Sequence, residues 1–365
     1  MSNSESLMLA GKNVVVFGGT GSLGKLLVRR ILSGEMGRPT KVVVVSRDEA
    51  KQHYMRLEFQ RLAASTDDIA YHDSGRALKF AIGDIRDYSS VRTALRDAQI
   101  VFNAAAMKQV PACEYYPFEA VQTNIIGAEN IARAIRENKL EVSTVVGIST
   151  DKACKPVNVM GMTKAIQERV YGHANLDCPL TRFVCVRYGN VLASRGSVIP
   201  LFHDQIARGG PITITTQAMT RFLLSLDDAV DTIFASLTNG KRGEVFVPIL
   251  PSARIVDLAE VLIGKRNIKL EFVGIRPGEK EHEVLISEEE AYRTERRGNY
   301  YVVLPILPEL RETHCGPFPL AGMEYSSAKD VMDKLAVYDL LMRNNLLIGS
   351  PAPPVGQHAH QESSV

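Results

Sequence analysis

Several protein classes are excluded by what this sequence has little of. Lys and Arg total 43 against 41 for Asp and Glu, and the net charge of +2 gives no global electrostatic case for a nucleic acid or an anionic membrane as partner. Any basic site must be local. No apolar run approaches the roughly 20 residues that a bilayer-spanning helix needs. Gly (27) and Pro (17) are too few for a collagenous or low-complexity chain. The five cysteines, Cys113, Cys154, Cys178, Cys185 and Cys315, are scattered and form no CxxC pair, which suits reduced thiols in a core better than disulfides or a zinc site. HExxH and Gly-x-Ser-x-Gly are both missing, so the usual metal- and serine-hydrolase signatures are absent and no metal site is expected. MSNSESLMLAGK lacks the basic, apolar and small-residue pattern of a secretion signal, and the expected location is the cytoplasm.

What is present is an ordinary globular composition, 45% hydrophobic and 23% charged over 365 residues, enough for a substantial core. Short β-branched runs at Asn13–Phe17, Lys41–Ser46, Leu78–Ile82, Ile100–Asn103, 142–148 and Arg182–Val186 alternate with segments of helical period. Leu23, Leu26, Leu27 and Ile31 share one helical face, and Ile131, Ala134 and Ile135 another, with Arg133, Arg136 and Glu137 outward. This alternation predicts an α/β fold, a Rossmann-like doubly wound parallel sheet. After Tyr188 the rhythm breaks into Gly/Pro-punctuated pieces, while 226–237 reads as a helix returning to the first domain. The predicted division is a cofactor domain, 8–188 plus 224–249, and a smaller discontinuous substrate domain, 189–223 plus 250–345. The stretch 63–76 reads as a polar loop. Residues 346–365, with PAPP and QHAHQ, read as a disordered tail whose His358 and His360 are solvated.

The first strand runs into Gly18-Gly19-Thr20-Gly21-Ser22-Leu23-Gly24, and a helix starts at once. Glycines at 18, 21 and 24 permit a tight turn and close approach of a pyrophosphate to the helix N-terminus. The Gly-x-x-Gly-x-x-Gly spacing resembles that of short-chain dehydrogenases. Gly19 to Lys25 also satisfies Gly-x-x-x-x-Gly-Lys, but Leu26 follows where a P-loop needs Ser or Thr, so the nucleotide-triphosphatase reading fails.

At the end of the second strand an NAD enzyme usually carries a carboxylate for the ribose 2′-hydroxyl. Here Ser46 and Arg47 suit a 2′-phosphate, with Lys51 as support, so NADP is expected over NAD; the competing reading is a capping Ser46 beside a solvated Arg47. Asp84 and Ile85 after strand three, and Ala104 and Ala105 after strand four, stand where adenine and the nicotinamide ribose would lie. Lys108 is either a phosphate contact or a surface lysine.

Ser149-Thr150-Asp151-Lys152 ends the fifth strand. Met160 and Lys164 follow at helical spacing, where a short-chain dehydrogenase has Tyr-x-x-x-Lys. A thioether cannot serve as a general base, so the hydroxyl deprotonation must fall to another group.

The blocks AAMKQVPACEYYPFEAVQTNIIGAEN, STDKACKPVNVMGMTKA, RYGNVLASRGSVIPLF, MTRF and RPGEKEHEVLISEEE resemble the soluble nucleotide-sugar 4,6-dehydratases of the extended short-chain dehydrogenase superfamily. The similarity is greatest to the capsule and O-antigen group that acts on UDP-N-acetylglucosamine and inverts C5. It runs from about residue 12 to 305; 67–76 is longer than that group's pattern, and no clear correspondence extends beyond 305.

The resemblance implies an internal redox cycle. Hydride leaves C4, water is eliminated across C5–C6, hydride returns to C6, and C5 is reprotonated from the opposite face. Lys152 is then the base at C5, and Asp151 the acid for the departing C6 hydroxyl. Thr150 binds the C4 oxygen, Lys164 grips the nicotinamide ribose and Met160 shapes an apolar wall. Asn124, Ser149, Tyr188, Gly189 and Asn190 are implied on the cofactor. Lys108, Thr150, Asn190, Ser197, Val198, Arg221, Arg276 and Glu279 are implied on the UDP-sugar, although an interdomain salt bridge explains Arg221 or Arg276 almost as well.

A free lysine titrates near pH ~10.4, so a neutral Lys152 asks for a drop of roughly three units, supplied by burial, while Asp151 needs the opposite shift. Relatives suggest a homo-oligomer. The alternatives are a C5-retaining dehydratase, a UDP-sugar 4-epimerase, which has no use for the Asp–Lys pair, and a non-enzymatic NADP-sensing regulator, against which the retention of Thr150, Asp151, Lys152 and Lys164 argues.

Overall fold

A computed structural model describes residues 7–64, 77–192, 197–311 and 318–349. Six parallel strands, β1 (Asn13–Phe17), β2 (Lys41–Ser46), β3 (Leu78–Ile82), β4 (Ile100–Asn103), β5 (Thr144–Ile148) and β6 (Arg182–Val186), alternate with helices. Successive side chains of a strand point to opposite faces. Val14 and Val16 therefore enter one core with Leu27, Val28 and Ile31, while Val15 and Phe17 enter a second with Ile131, Ala134 and Tyr171. Two buried faces explain why the strands read as uninterrupted apolar runs.

The remaining strands are β7 (Asn190–Val191), β8 (Ile212–Ile214), β9 (Thr220–Leu224), β10 (Val245–Pro248), β11 (Ser252–Arg254), β12 (Leu270–Phe272), β13 (Val284–Ile286), β14 (Thr294–Arg297), β15 (Tyr300–Val303) and β16 (Tyr325–Ser326). The main sheet has nine strands in the order β14-β15-β10-β6-β5-β4-β1-β2-β3. Strand order reverses between β1 and β4, and in such sheets the crevice at that point takes the ligand. The helix Leu226–Asn239 returns to the sheet as expected, burying Val230, Ile233 and Leu237 in the first core.

Two boundaries differ from the sequence reading. β14 and β15, within the stretch assigned to the substrate domain, pair antiparallel with each other, and β15 pairs with β10, so they extend the main sheet. Their signal is the Gly298-Asn299 turn followed by the aromatic and β-branched run Tyr300-Tyr301-Val302-Val303. Leu346 is buried, and Leu347 and Ile348 pack beside it on the small-domain core, so the ordered chain continues past 345. The polar loop expected at 63–76 begins inside the helix Glu49–Ala64, and its remainder, like Cys315 and the histidines of the tail, lies outside the described residues.

Around its own core of Phe202, Ile212, Leu258 and Leu341, the small domain carries the sheet β11-β9-β7 and the pairs β12-β8 and β13-β16. Among the described cysteines, Cys113, Cys154, Cys178 and Cys185 are free and buried, and burial pushes the Cys154 thiol up to about 12.

The approach of the helix Val159–Asp177 to the turn after β5 positions the candidate site. Asn158 caps this helix by accepting from Gly161 N at 2.8 Å, and a Cβ on Gly161 would fall on the Lys152 carbonyl. Gly161→Ala is expected to destabilise the protein by about 1–3 kcal/mol in urea denaturation. Gly172→Ala in the same helix, where a Cβ meets nothing, is expected to be neutral or stabilising by up to ~1 kcal/mol.

Candidate active site

The crevice is a cavity of about 470 Å³ bounded by the ends of β1, β2, β4, β5 and β6. The sequence explains its shape at the glycine loop. Gly18 has φ +73°, and a Cβ there would come within 2.6 to 2.7 Å of the Ala104–Ala105 backbone, so the two loops meet only because this position has no side chain. The helix Ser22–Leu32 starts at Gly21 with no side-chain cap and no acidic residue in its first turn. Its free N–H groups and positive dipole end thus remain available to an anion, which is the donor set a dinucleotide pyrophosphate requires.

Of the residues expected at the cofactor, Gly18, Gly21, Ser22, Leu23, Gly24, Ser46, Arg47, Asp84, Ile85, Ala104, Ala105, Lys108, Ser149, Lys164, Tyr188, Gly189 and Asn190 line this cavity, as do Thr150, Asp151, Lys152 and Met160. Three others stand behind the wall. Thr20 Oγ1 donates to Ser46 Oγ at 3.1 Å and ties the glycine loop to β2. Lys51 pairs with Asp48 at 2.5 Å instead of facing the cavity. Asn124, in a π-helical stretch Val121–Ile126, accepts from Met107 N and donates to Met107 O and Thr163 Oγ1, fixing the loop after β4. Gly83, Thr123, Val191 and Leu226 also line the cavity; none carries a motif that would have singled it out.

The residues expected at the UDP end are dispersed. Ser197, Val198, Arg221, Arg276 and Glu279 do not line the cavity. Arg221 is buried and donates to the carbonyls of Thr220, Lys280 and Glu281, which favours its reading as a structural link over a diphosphate clamp. Arg276 is exposed at a turn closed by the Glu279 N to Arg276 O hydrogen bond. Asn158 Nδ2 donates to Gly278 O at 2.8 Å and moors that turn to the Met160 helix.

At the cavity floor Thr150 Oγ1 donates to Asp151 Oδ1 at 2.8 Å, and Lys152 Nζ lies 3.2 Å from the same oxygen. Asp151 is 1% exposed, and its Oδ2 has no hydrogen-bond partner among the described residues. A buried carboxylate oxygen without a hydrogen bond costs ~1–3 kcal/mol or more, so it marks a place where a ligand hydroxyl could be received. Met160 packs with Cys113 and Ala120 as an apolar wall.

Lys164 is buried and donates to Ile148 O and Gln167 Oε1, each at 2.5 Å. Burial lowers its amine to about 8. Burial also lowers the Lys108 amine, which has no charged partner among the described residues.

Lys152 behaves differently from the sequence expectation. Burial alone would lower it, but the carboxylates of Asp151 and Glu283 outweigh burial and hold it above the ordinary lysine range. Glu283, 3.1 Å from Lys152 Nζ, is the residue that sequence reasoning missed. It sits in a charged run, Glu279-Lys280-Glu281-His282-Glu283, that reads as a solvated face.

At the rim, Arg47 is 68% exposed and 4.0 Å from Asp84. Burial would raise the Asp84 carboxyl, but Arg86 overrides this and holds it below the usual range. No helix among the described residues is long and apolar enough to cross a membrane.

This chain is similar to known proteins along most of its length. A UDP-glucose 4-epimerase of Rickettsia bellii (strain OSU 85-389) is 44% identical over 299 residues, 80% of this chain and 83% of that protein. The X-ray structure of Pen from Bacillus thuringiensis superposes with a TM-score of 0.82 at 34% identity, covering 93% of this chain and 99% of that one. DesIV, a dTDP-glucose 4,6-dehydratase from Streptomyces venezuelae solved with NAD bound, shares the fold at a TM-score of 0.61 and 20% identity, over 73% of this chain and 86% of its own. The model of the family described as polysaccharide biosynthesis protein matches residues 14–305. With its Rossmann-like fold and this match over residues 14–305, the chain belongs to the polysaccharide biosynthesis protein family.

Proposed function

We propose that the protein is a nucleotide-sugar 4,6-dehydratase that converts UDP-N-acetylglucosamine to UDP-2-acetamido-2,6-dideoxy-β-L-arabino-hex-4-ulose, with inversion at C5 and NADP as a recycled cofactor. The observation that carries this reading is the Thr150-Asp151-Lys152 run at the floor of the crevice, where Asp151 Oδ2 has no hydrogen-bond partner among the described residues. A nicotinamide cofactor held by the glycine loop, Ser46 and Arg47 would supply the hydride acceptor for C4 and the hydride for C6.

The protein's part is to move protons. A C4 hydroxyl against Thr150 can pass its proton through Oγ1 to Asp151 Oδ1, the hydrogen bond already present at 2.8 Å. That transfer answers two demands together. It removes the C4 proton without the tyrosine that Met160 replaces, and it leaves Asp151 as the acid that the departing C6 hydroxyl needs. Lys152 takes the C5 proton, which is acidic once C4 is a ketone. The water that leaves carries the proton first taken from C4, so no net reductant or acid is consumed.

A 4-epimerase is the second reading, favoured by the name of the Rickettsia relatives. It removes and returns hydride at C4 and leaves C5 untouched, so the Asp151–Lys152 pair would be idle. Proton NMR with UDP-N-acetylglucosamine in heavy water separates the two. The dehydratase yields a C6 methyl group and deuterium at C5, with ring couplings that report inversion or retention; a C4 epimer with protium at C5 would overturn the proposal.

NADP is supported by Ser46 and Arg47 on the cavity wall, where β2 supplies no carboxylate, while Asp48 is engaged by Lys51. Arg47→Ala is expected to weaken NADPH binding by roughly ten- to a hundredfold and NADH binding by less than about threefold, read by nucleotide fluorescence titration. Equal losses would remove the 2′-phosphate role. The reading includes a cytoplasmic homo-oligomer.

A further inference from the structure

The amine of Lys152 is held between two carboxylates, Asp151 Oδ1 at 3.2 Å and Glu283 Oε1 at 3.1 Å. They come from different parts of the molecule. Asp151 is its neighbour in the chain, whereas Glu283 enters from the small domain just before β13. Its backbone is fixed on both sides: Glu283 N donates to Ser327 Oγ at 2.9 Å, and Ser327 N donates to Glu283 O at 2.8 Å. Two residues further on, Leu285 O accepts from Arg187 Nη1 at 2.8 Å, which pins the strand to the end of β6. The placement is therefore built, not a chance rotamer of a surface glutamate.

Glu283 is 2% exposed, and its Oε2 has no hydrogen-bond partner among the described residues. It reaches Lys152, which lines the cavity, without lining it itself. The other charged groups facing this pair are Arg221, with Nε 3.8 Å from Glu283 Oε1, and Lys280, whose Nζ donates to Cys154 O at 2.6 Å. With Asp151, Lys152 and Glu283 they form a closed cluster in which a proton can change owner without changing the net charge.

A lysine held as an ammonium cannot remove a proton from carbon. On the dehydratase reading above, we propose that Glu283 accepts the ammonium proton of Lys152 and so supplies the neutral amine that attacks C5–H. One N–H bond of Lys152 breaks, its electron pair stays on nitrogen, and one O–H bond forms on Glu283. The resting pair is the ion pair, since the carboxylates outweigh burial at Lys152, so the exchange is an uphill step that the short 3.1 Å contact makes direct. When the C5 proton arrives, the amine is an ammonium again. C5 takes a proton from solvent on the opposite face, Lys152 at the cavity gives one proton to solvent and recovers the one held by Glu283, so the ion pair is restored and the hydrogen at C5 is solvent-derived. Glu283 acts through Lys152, as a positioning and proton-accepting residue that does not touch the sugar.

The test follows C5 deuteration and C6 methyl formation from UDP-N-acetylglucosamine in heavy water, across pH, for wild type, Glu283→Gln and Glu283→Asp. NADPH binding and KM are measured in parallel. Glu283→Gln keeps the shape and one acceptor but cannot take the proton. The expected result is a loss of roughly a hundredfold in turnover near pH ~7, with NADPH binding and KM within about threefold of wild type. Activity should recover as pH rises toward the lysine range, where solvent takes the proton instead, and Glu283→Asp should restore part of it. A loss of equal size at every pH would reduce Glu283 to a structural role and overturn the proposal. So would unchanged turnover, or activity extending to lower pH in Glu283→Gln, which would mean that the carboxylate merely holds Lys152 protonated. A wild type that forms no methyl group overturns the dehydratase reading, and this role with it; differences among variants of an active wild type bear on Glu283 alone.

Discussion

One buried cation holds the site together. Arg187, 2% exposed, follows β6 and bridges Glu168 of the helix Val159–Asp177 at 2.5 Å and Glu290 of the small domain at 2.7 Å. Ser149 donates to Glu168, and Arg187 donates to Leu285 O, so a single guanidinium links the end of β5, the helix that carries Met160 and Lys164, and the strand that delivers Glu283. Burial would raise the Glu290 carboxyl, but Arg187 outweighs it and brings it down to about 2. A buried ion cluster of this kind adds little net stability over apolar packing, yet losing one member strands a charge at a cost of about 3–5 kcal/mol. Its contribution here is alignment. Together with the Ser327 contacts to Glu283, it helps set Lys152 between Asp151 and Glu283.

With that alignment in place, the crevice separates two kinds of work. The upper wall, from the glycine loop to Arg47 and Lys108, presents N–H groups and cations to anions. The floor, from Thr150 to Lys152, presents a hydroxyl, a carboxylate and an amine in hydrogen-bonding contact. Hydride chemistry at C4 needs only the first of these and a place for one proton. On the dehydratase reading proposed above, the second adds the means to labilise C5, which an epimerase on the same scaffold does not need.

Much of this was legible in the sequence, for local reasons. β1 to β4 and β6 match their apolar runs residue for residue, and β5 differs by two residues at its start; in β1, β4 and β6, buried on both faces, there is no polar alternation to blur the ends. The glycine loop and the Thr150-Asp151-Lys152 run were readable because neighbours in sequence remain neighbours in the site. Long-range partners were not. Glu283 and Arg187 look like solvated charges until the fold brings the domains together, and missing Glu283 gave the wrong direction for Lys152. For Arg221 the sequence leaves a diphosphate contact and an interdomain link both open, and the main-chain carbonyls that take up its guanidinium favour the link. The hairpin β14–β15 was given to the wrong unit because a sheet's edge depends on which strand lies beside it.

The account stands on Lys152 as the base at C5, and the most direct measurement is a single turnover of Lys152→Ala with bound cofactor and UDP-N-acetylglucosamine in heavy water. Oxidation at C4 should proceed and then stop: reduced-nicotinamide absorbance rises toward one equivalent per site and persists, with no deuterium at C5 and no methyl group at C6. Continued formation of the 6-deoxy product, or an absence of nicotinamide reduction despite normal nucleotide binding, would contradict it.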